Sequence, residues 1–470
     1  MGKSFDLVEE AERLIRFNTV TWSSNLDCAV YLGSLFRRFG LDVIYQENRV
    51  GELIFMNVAA VAGAGKQPLL MTTHLDTVDA GDPALWTKTG RDPWKMTRHG
   101  NTLYGLGVAD TKLDILCKLA ALVDLPTDRF TRQIFLLGTF GEESGLRGAA
   151  RFCQGDLPKP KMALVGEPTE LHLVTRHKGL AVAEILFKTK GLHRPSAAEW
   201  VYEAVFTGKP AHSSTPHLGV NALDLSAAFL RKLKARFSKI AVLSWQGGSG
   251  HNVIPASASV RFSLGPHPKV FFPSAKGCQV KAQRLNPGWY PRFPWEDMMW
   301  VMDEVRTVFL PLEKFKDSSF DPPRMTWNFT WLRETREGWS LTFDARPLAG
   351  RPVHKAVRVI EQKLTQRLGH PGPDWQFCLE RDNPPLETDP KSEVAKAVLS
   401  ALKSVRLNTR PRCKSGCTEA GLYSKVGIPS VVIGPGTAQG NIHQPNESVS
   451  IKQLKDAIRF YKRFLEKTCM

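Results

Sequence analysis

His74 and Asp76 stand one residue apart, directly after the apolar run 68–73. An apolar strand that ends in a histidine can present an imidazole to a metal ion. An acid two residues on can then hold the other ring nitrogen and fix the tautomer. A lone His-x-Asp is more often a satisfied structural histidine than a ligand. Its meaning depends on what stands at the corresponding places elsewhere in the chain.

Matching groups recur. Asp110 follows the turn Gly105-Leu106-Gly107-Val108-Ala109 and precedes an apolar helical stretch at 113–123. Glu142 and Glu143 come directly after the apolar run 133–140, and Glu167 after 162–165. His443 lies in the loop beyond 430–433. Two divalent ions of borderline softness need nitrogen and oxygen ligands. A shared carboxylate offsets their repulsion at the about 3.5–4 Å spacing of two-metal centres. Adjacent glutamates can divide the labour, one ligating and one taking a proton from water. A single Glu-Glu pair is usually a solvated turn; its recurrence with other ligand types at strand ends points to chemistry.

These groups need a frame that brings strand ends together. Asp6 with Glu9 forms a capping-box variant, and Leu7, Val8, Ala11, Leu14 and Ile15 make one apolar helix face. A helix at 27–39 stops at Gly40. Strands are expected at 41–45, 53–61, 68–73, 133–140 and 162–165. Strands alternating with helices predict an α/β layer with a mostly parallel sheet, whose carboxyl ends carry the site. After Gly179 the pattern changes to strand-like stretches with amphipathic helices at 221–237 and 353–368. Residues 266–339 are dense in Pro, Trp and Phe, with no usable period. The α/β pattern returns with a helix from Ser392, a strand at 430–433 and a closing amphipathic helix at 451–467. The expected organisation is a catalytic domain at 1–179 and 373–470, interrupted by a smaller α+β domain at 180–372.

The bulk figures set limits. A 470-residue chain exceeds one ordinary core. Its 42% hydrophobic and 23% charged residues suit a globular protein. No apolar run approaches the about 18 residues of a membrane helix, and the first residues lack the apolar stretch of an export signal. A cytoplasmic enzyme is expected. The eight cysteines are scattered, as reduced thiols are. Cys413 and Cys417 lack a second Cys/His pair and are discounted as a zinc knuckle. The net charge of +17 comes from dispersed residues without a nucleic-acid-binding motif, so no nucleic-acid partner is expected.

At this point the chain resembles the co-catalytic zinc amidohydrolases, the family of acetylornithine deacetylase, succinyl-diaminopimelate desuccinylase, aminoacylase and glutamate carboxypeptidase. The similarity runs through residues 73–78, 105–112, 141–145, 166–169, 208–214, 252–255 and 434–436 leading to His443. The resemblance implies a zinc-exopeptidase-like catalytic domain with a lid or dimerisation domain, and two divalent ions, zinc first and cobalt as the alternative. It implies that His74 and Glu167 hold one ion, Glu143 and His443 the other, and that Asp110 bridges them. Asp76 would orient His74, Glu142 would be the general base on a metal-activated water, and His212 would meet the developing oxyanion. Asn252 and Arg346 would bind substrate. For Arg346 the alternative is an ion pair on its own sheet.

Several positions depart from the family pattern. Thr111 follows the bridging acid where Met is usual, and Glu419 stands where Asp is usual. Gly265 replaces an expected Arg. Insertions are read at 266–339 and around 191–203. His177-Lys178-Gly179 points to the acetylornithine deacetylase branch. Hydrolysis of an N-acyl amino acid, N-acetylornithine foremost, as in arginine biosynthesis, is therefore the leading expectation. Desuccinylation, di- or carboxypeptidase activity and a non-catalytic binding protein of the same fold are the alternatives. A homodimer through the interrupting domain would follow the family.

Overall fold

A computed structural model describes residues 5–155, 157–188, 191–194, 199–264, 277–284, 289–291, 293–351 and 353–470, with 278 and 280–284 described by backbone alone. The departure at Gly265 and part of both insertion readings lie outside the described residues. The chain divides into two compact units, 1–177 with 383–470, and 178–382.

The first unit is built on a nine-stranded sheet. At its centre Ile134–Thr139, Leu69–His74, Met162–Gly166 and Ser430–Val432 lie side by side and parallel. These strands are buried along their whole length, which explains their continuous apolar sequences. Antiparallel pairs flank them. Asp42–Val50 and Leu53–Ala62 form a hairpin on one side, and Ser430–Val432 meets Val174–His177 antiparallel on the other. Arg412–Lys414 runs parallel to Val174–His177. The sheet is parallel at its centre, while its flanks are antiparallel apart from Arg412–Lys414.

Helices cover the sheet. Asp6 caps Leu7–Ile15 by accepting from the amides of Val8 and Glu9 at 2.9 and 3.1 Å. Lys112–Val123 is buried nearly all round and packs against the closing helix Ile451–Cys469. Between Lys112–Val123 and the central strand lies a buried polar network. The Lys118 ammonium reaches Asp114 at 2.6 Å, the Thr72 carbonyl at 2.6 Å and the Thr73 hydroxyl at 2.9 Å. Thr73 donates to Asp114 at 2.7 Å, and Tyr461 of the closing helix donates to the other carboxylate oxygen. Every member is buried and partnered, the condition under which such a network rigidifies a core.

The second unit has an eight-stranded sheet in the order Cys278–Arg284, Trp200–Thr207, Ser257–Leu264, Ile240–Gly247, Thr326–Glu334, Gly338–Arg346, Leu180–Lys188, Trp375–Asn383. Helices Ala222–Arg236 and His354–Leu368 stand where expected. A third helix, Trp295–Glu313, and the strand Thr326–Glu334 lie in the stretch that the sequence left unassigned. Trp295, Met298, Met302, Val305 and Phe309 bury one face of that helix, a helical period that its additional Trp, Val and Leu residues obscure. Trp375–Asn383 is an edge strand of this sheet, so the chain returns to the first unit at Asn383 rather than at 373. Among the described residues no helix is long and apolar enough to cross a membrane.

Candidate metal centre

Register brings the candidates of the first unit together. His74 lies opposite Thr139, and Thr73 lies opposite both Gly138 and Gly166. Glu142 and Glu143 therefore leave the sheet at the same end as His74, and Glu167 leaves beside them. The glycine before Glu167 is set by close approach. A Cβ on Gly166 would sit 1.8 Å from the Asp114 carboxylate. The buried network beneath the sheet and the acid above it meet at this residue.

Asp110 is the hinge of the arrangement. One of its carboxylate oxygens lies 3.3 Å from His74 Nε2, and the other lies 3.0 Å from His443 Nε2. His443 Nε2 is also 2.9 Å from Glu143 Oε1. The donor atoms of Asp110, Glu143 and His443 all lie within 4.8 Å of one another. One imidazole and two carboxylates make a donor set suited to a zinc-like ion. The His443 backbone takes a left-handed φ of 58°, which few non-glycine residues adopt and which recurs where a site over-determines the backbone.

Asp76 does two jobs with different atoms. Its carbonyl lies 3.0 Å from His74 Nδ1 and accepts that ring proton, leaving Nε2 as the nitrogen that faces Asp110. Its carboxylate stands 3.7 Å from the same nitrogen. There it accepts the amides of Glu142 and Glu143, at 3.0 and 3.1 Å. The expected carboxylate–imidazole contact is thus supplied by the backbone, and the side chain fixes the glutamate pair.

The electrostatics follow from crowding of acids. Burial opposes charge on both imidazoles. Even so, Glu143 and Asp110 push His443 up to about 11, and Asp110 and Asp76 raise His74 well above the usual range. Burial, with Glu143 and Glu167 alongside, lifts the Glu142 carboxyl well above ordinary glutamates. A proton acceptor tuned upward in this way suits acid–base work near neutral pH.

Two participants were not anticipated from the sequence. Glu447 is fully buried and accepts the amides of Gly107, Ala109 and Asp110 at 3.2, 2.7 and 2.9 Å. It holds the glycine-rich turn that presents Asp110. The signal available was the turn itself, whose successive amides required an acceptor. Lys414 is the second; its ammonium pairs with Glu167. It lies between the two cysteines weighed as a zinc knuckle, which are free thiols.

The other candidates lie in the second unit. His212 Nδ1 accepts from the Ser214 hydroxyl at 2.7 Å and the Ser214 amide at 3.1 Å, which puts the ring proton on Nε2. Ser213 donates its amide to the Asn252 carbonyl at 2.9 Å. The Arg346 guanidinium reaches Asp344 Oδ2 and the Ser213 hydroxyl, each at 3.3 Å, and is buried. It makes the same-sheet ion pair weighed above as the alternative to a substrate contact.

Ligand candidates gathered around Asp110 on an α/β frame, with a second glutamate beside them, fit a metal-dependent amidohydrolase. The chain belongs to peptidase family M20/M25/M40, whose model matches residues 70–467. Among relatives, acetylornithine deacetylase of Photorhabdus laumondii is 37% identical over 169 residues, 36% of this chain and 38% of that protein. The enzyme of the same name from Buchnera aphidicola subsp. Schizaphis graminum is 31% identical over 228 residues, 45% and 54% of the two chains. The matches thus span about two-fifths to one-half of those relatives. Two solved structures share the fold over nearly the whole chain. Aminoacylhistidine dipeptidase from Vibrio alginolyticus has a TM-score of 0.66 at 16% identity, covering 98% of this chain and 96% of that one. A metallo-carboxypeptidase from Sulfolobus solfataricus has 0.61 at 17% identity, covering 99% of each.

Proposed function

We propose that this protein hydrolyses the amide bond of an N-acyl amino acid, with N-acetylornithine, giving ornithine and acetate, as the leading substrate. The observation that carries the reading is the convergence of Asp110, Glu143 and His443 next to Glu142. Asp110, Glu143 and His443 would hold a divalent ion, zinc before cobalt, which would supply Lewis-acid chemistry for the carbonyl and for a water. Glu142 takes the proton of the attacking water and delivers it to the departing amine. Asp76 holds the backbone of that glutamate, and Glu447 holds the turn of Asp110. We assign His212, a neutral imidazole with a proton on Nε2, the role of donor to the oxyanion. Asn252 is kept as a substrate contact, and Arg346 as a residue that positions the His212 segment through Ser213. His74 and Glu167 are assigned to a second ion.

The relatives named acetylornithine deacetylase support the choice of substrate. The described cysteines, all free, support a reducing, cytoplasmic setting. Pairing of two chains through the second unit is the accompanying assembly reading, which sedimentation as a monomer overturns. The deciding experiment assays the purified, metal-loaded chain on N-acetyl, N-succinyl and dipeptide substrates. Preferred turnover of N-acetylornithine supports the proposal. Preference for a succinylated amine or a dipeptide moves the chain to another branch, and no hydrolysis of any of them sinks it.

A further inference from the structure

The centre has two sides that share Asp110. On one, Asp110, Glu143 and His443 close around a common point. On the other, among the described residues, His74, Asp110 and Glu167 form no such group, because Glu167 is turned to Lys414. Lys414 ends the strand Arg412–Lys414, which pairs with Val174–His177, with Lys414 opposite His177 and a register shift between Arg412 and Cys413. Its neighbour on the same face, Arg412, reaches Glu170 at 3.3 Å. Two alternate cations of one strand thus tie down two acids of the Glu167–Glu170 segment.

An ammonium is a compact point charge with three donors, and acids packed as closely as Asp110, Glu142 and Glu167 need a cation among them. The Lys414 ammonium pairs directly with Glu167. Only 21% of its side chain is exposed, and 5% of that of Glu167. Lys414 therefore engages the Glu167 carboxylate that a second ion on His74 and Glu167 would need.

We propose that Lys414 is the resident cation of the Glu167 side. The chain holds one divalent ion tightly, on Asp110, Glu143 and His443, and admits a second only by displacing the Lys414 ammonium from Glu167. This rests on the proposed function only in taking the first side to bind an ion.

The test is zinc binding by the full-length, chelator-stripped chain, followed by metal analysis after dialysis against buffered free zinc and by calorimetry. Wild type is expected to take up one ion tightly and a second at least about tenfold more weakly, the scale on which groups around a metal shift its affinity. Lys414→Met should strengthen the second event by roughly ten- to hundredfold, while Lys414→Arg, which keeps the charge, should leave it weak. Circular dichroism and melting curves identify a variant that has lost its fold, and the Arg variant then carries the test by its contrast with Lys414→Gln. Two equally tight ions in wild type, or an unchanged second event in both neutral variants, overturns the role of Lys414 and leaves the hydrolase reading standing. A folded chain that binds no zinc overturns the hydrolase reading itself.

Discussion

The two sides of the centre start from the same materials and end differently. Each offers an imidazole and a glutamate that follows a central strand, and each shares Asp110. On the His443 side the glutamate turns to the imidazole and the donors converge. On the His74 side the glutamate turns to a lysine from a neighbouring strand. Placement at a strand end therefore makes a carboxylate available, and the nearest cation decides what it does. The sequence shows the first condition plainly. The second depends on a partner 247 residues away along the chain.

Glu142 lies between the two sides and separates chemistry from ion binding. Glu142→Gln removes the proton acceptor and keeps the shape. It should lower kcat by about 10²–10⁴-fold, with zinc content measured on the same sample unchanged. Full turnover in this variant would break the assignment of the base. Loss of zinc along with turnover would make Glu142 a ligand and erase its distinction from Glu143.

The next effect lies beneath the His74 side. Lys118→Met leaves the Asp114 carboxylate buried without its cation, next to Thr73 and Tyr461. Breaking a buried pair in this way costs about 3–5 kcal/mol, to be read from denaturant unfolding. A loss under 1 kcal/mol would show that the network does not anchor the His74 strand. Glu419 offers a gentler probe of the same floor. It accepts from Thr72 at 3.3 Å and is buried at the start of its helix. Burial raises its carboxyl from 4.5 to about 7, with Asp76 and Glu167 adding to the rise and Thr139 and His74 opposing it. The folded chain thus binds this proton more tightly than the unfolded one. The stability it contributes is complete below about pH 4.5 and lost as pH rises through about 7. Glu419→Gln should flatten that dependence, leaving the chelator-treated variant up to about 3 kcal/mol more stable than wild type at pH 8. Melting curves from pH 5 to 8 that run parallel for the two proteins would contradict it.

How much was legible follows the same division between local and long-range causes. The central strands and their helices were read within a few residues because buried parallel strands are continuous apolar runs, and His74, the Glu142-Glu143 pair and Glu167 each end or follow one. Glu447 was missed because its role is to satisfy amides more than 300 residues away, which no local pattern records. Lys414 was missed because its partner Glu167 lies 247 residues away along the chain, which no local pattern records. The helix Trp295–Glu313 was missed because it buries one face and carries Trp300, Val308 and Leu310 on others, so its period is diluted. For Arg346 the sequence offered two partners of equal chemistry, and only the register of its own sheet puts Asp344 and Ser213 within reach.

The smallest expected effect bears most directly on the comparison. If the tight ion belongs to Asp110, Glu143 and His443, removing either imidazole should not be equivalent. His443→Ala takes a donor from the converged side and should weaken zinc binding. His74→Ala empties a position already opposed by the Lys414 ammonium and should leave the first ion nearly untouched. A difference of roughly ten- to hundredfold in the first dissociation constant is expected, measured by competition with a chromogenic chelator. Equal weakening by both substitutions would show that the first ion sits between the imidazoles, on the bridging carboxylate. The two sides would then be one site, and Lys414 would have to leave Glu167 before any ion bound. A larger loss in His74→Ala would reverse the sides and place the ammonium on the stronger one. Only the predicted inequality keeps Asp110 as a carboxylate with a tight ion on one oxygen and a contested position on the other.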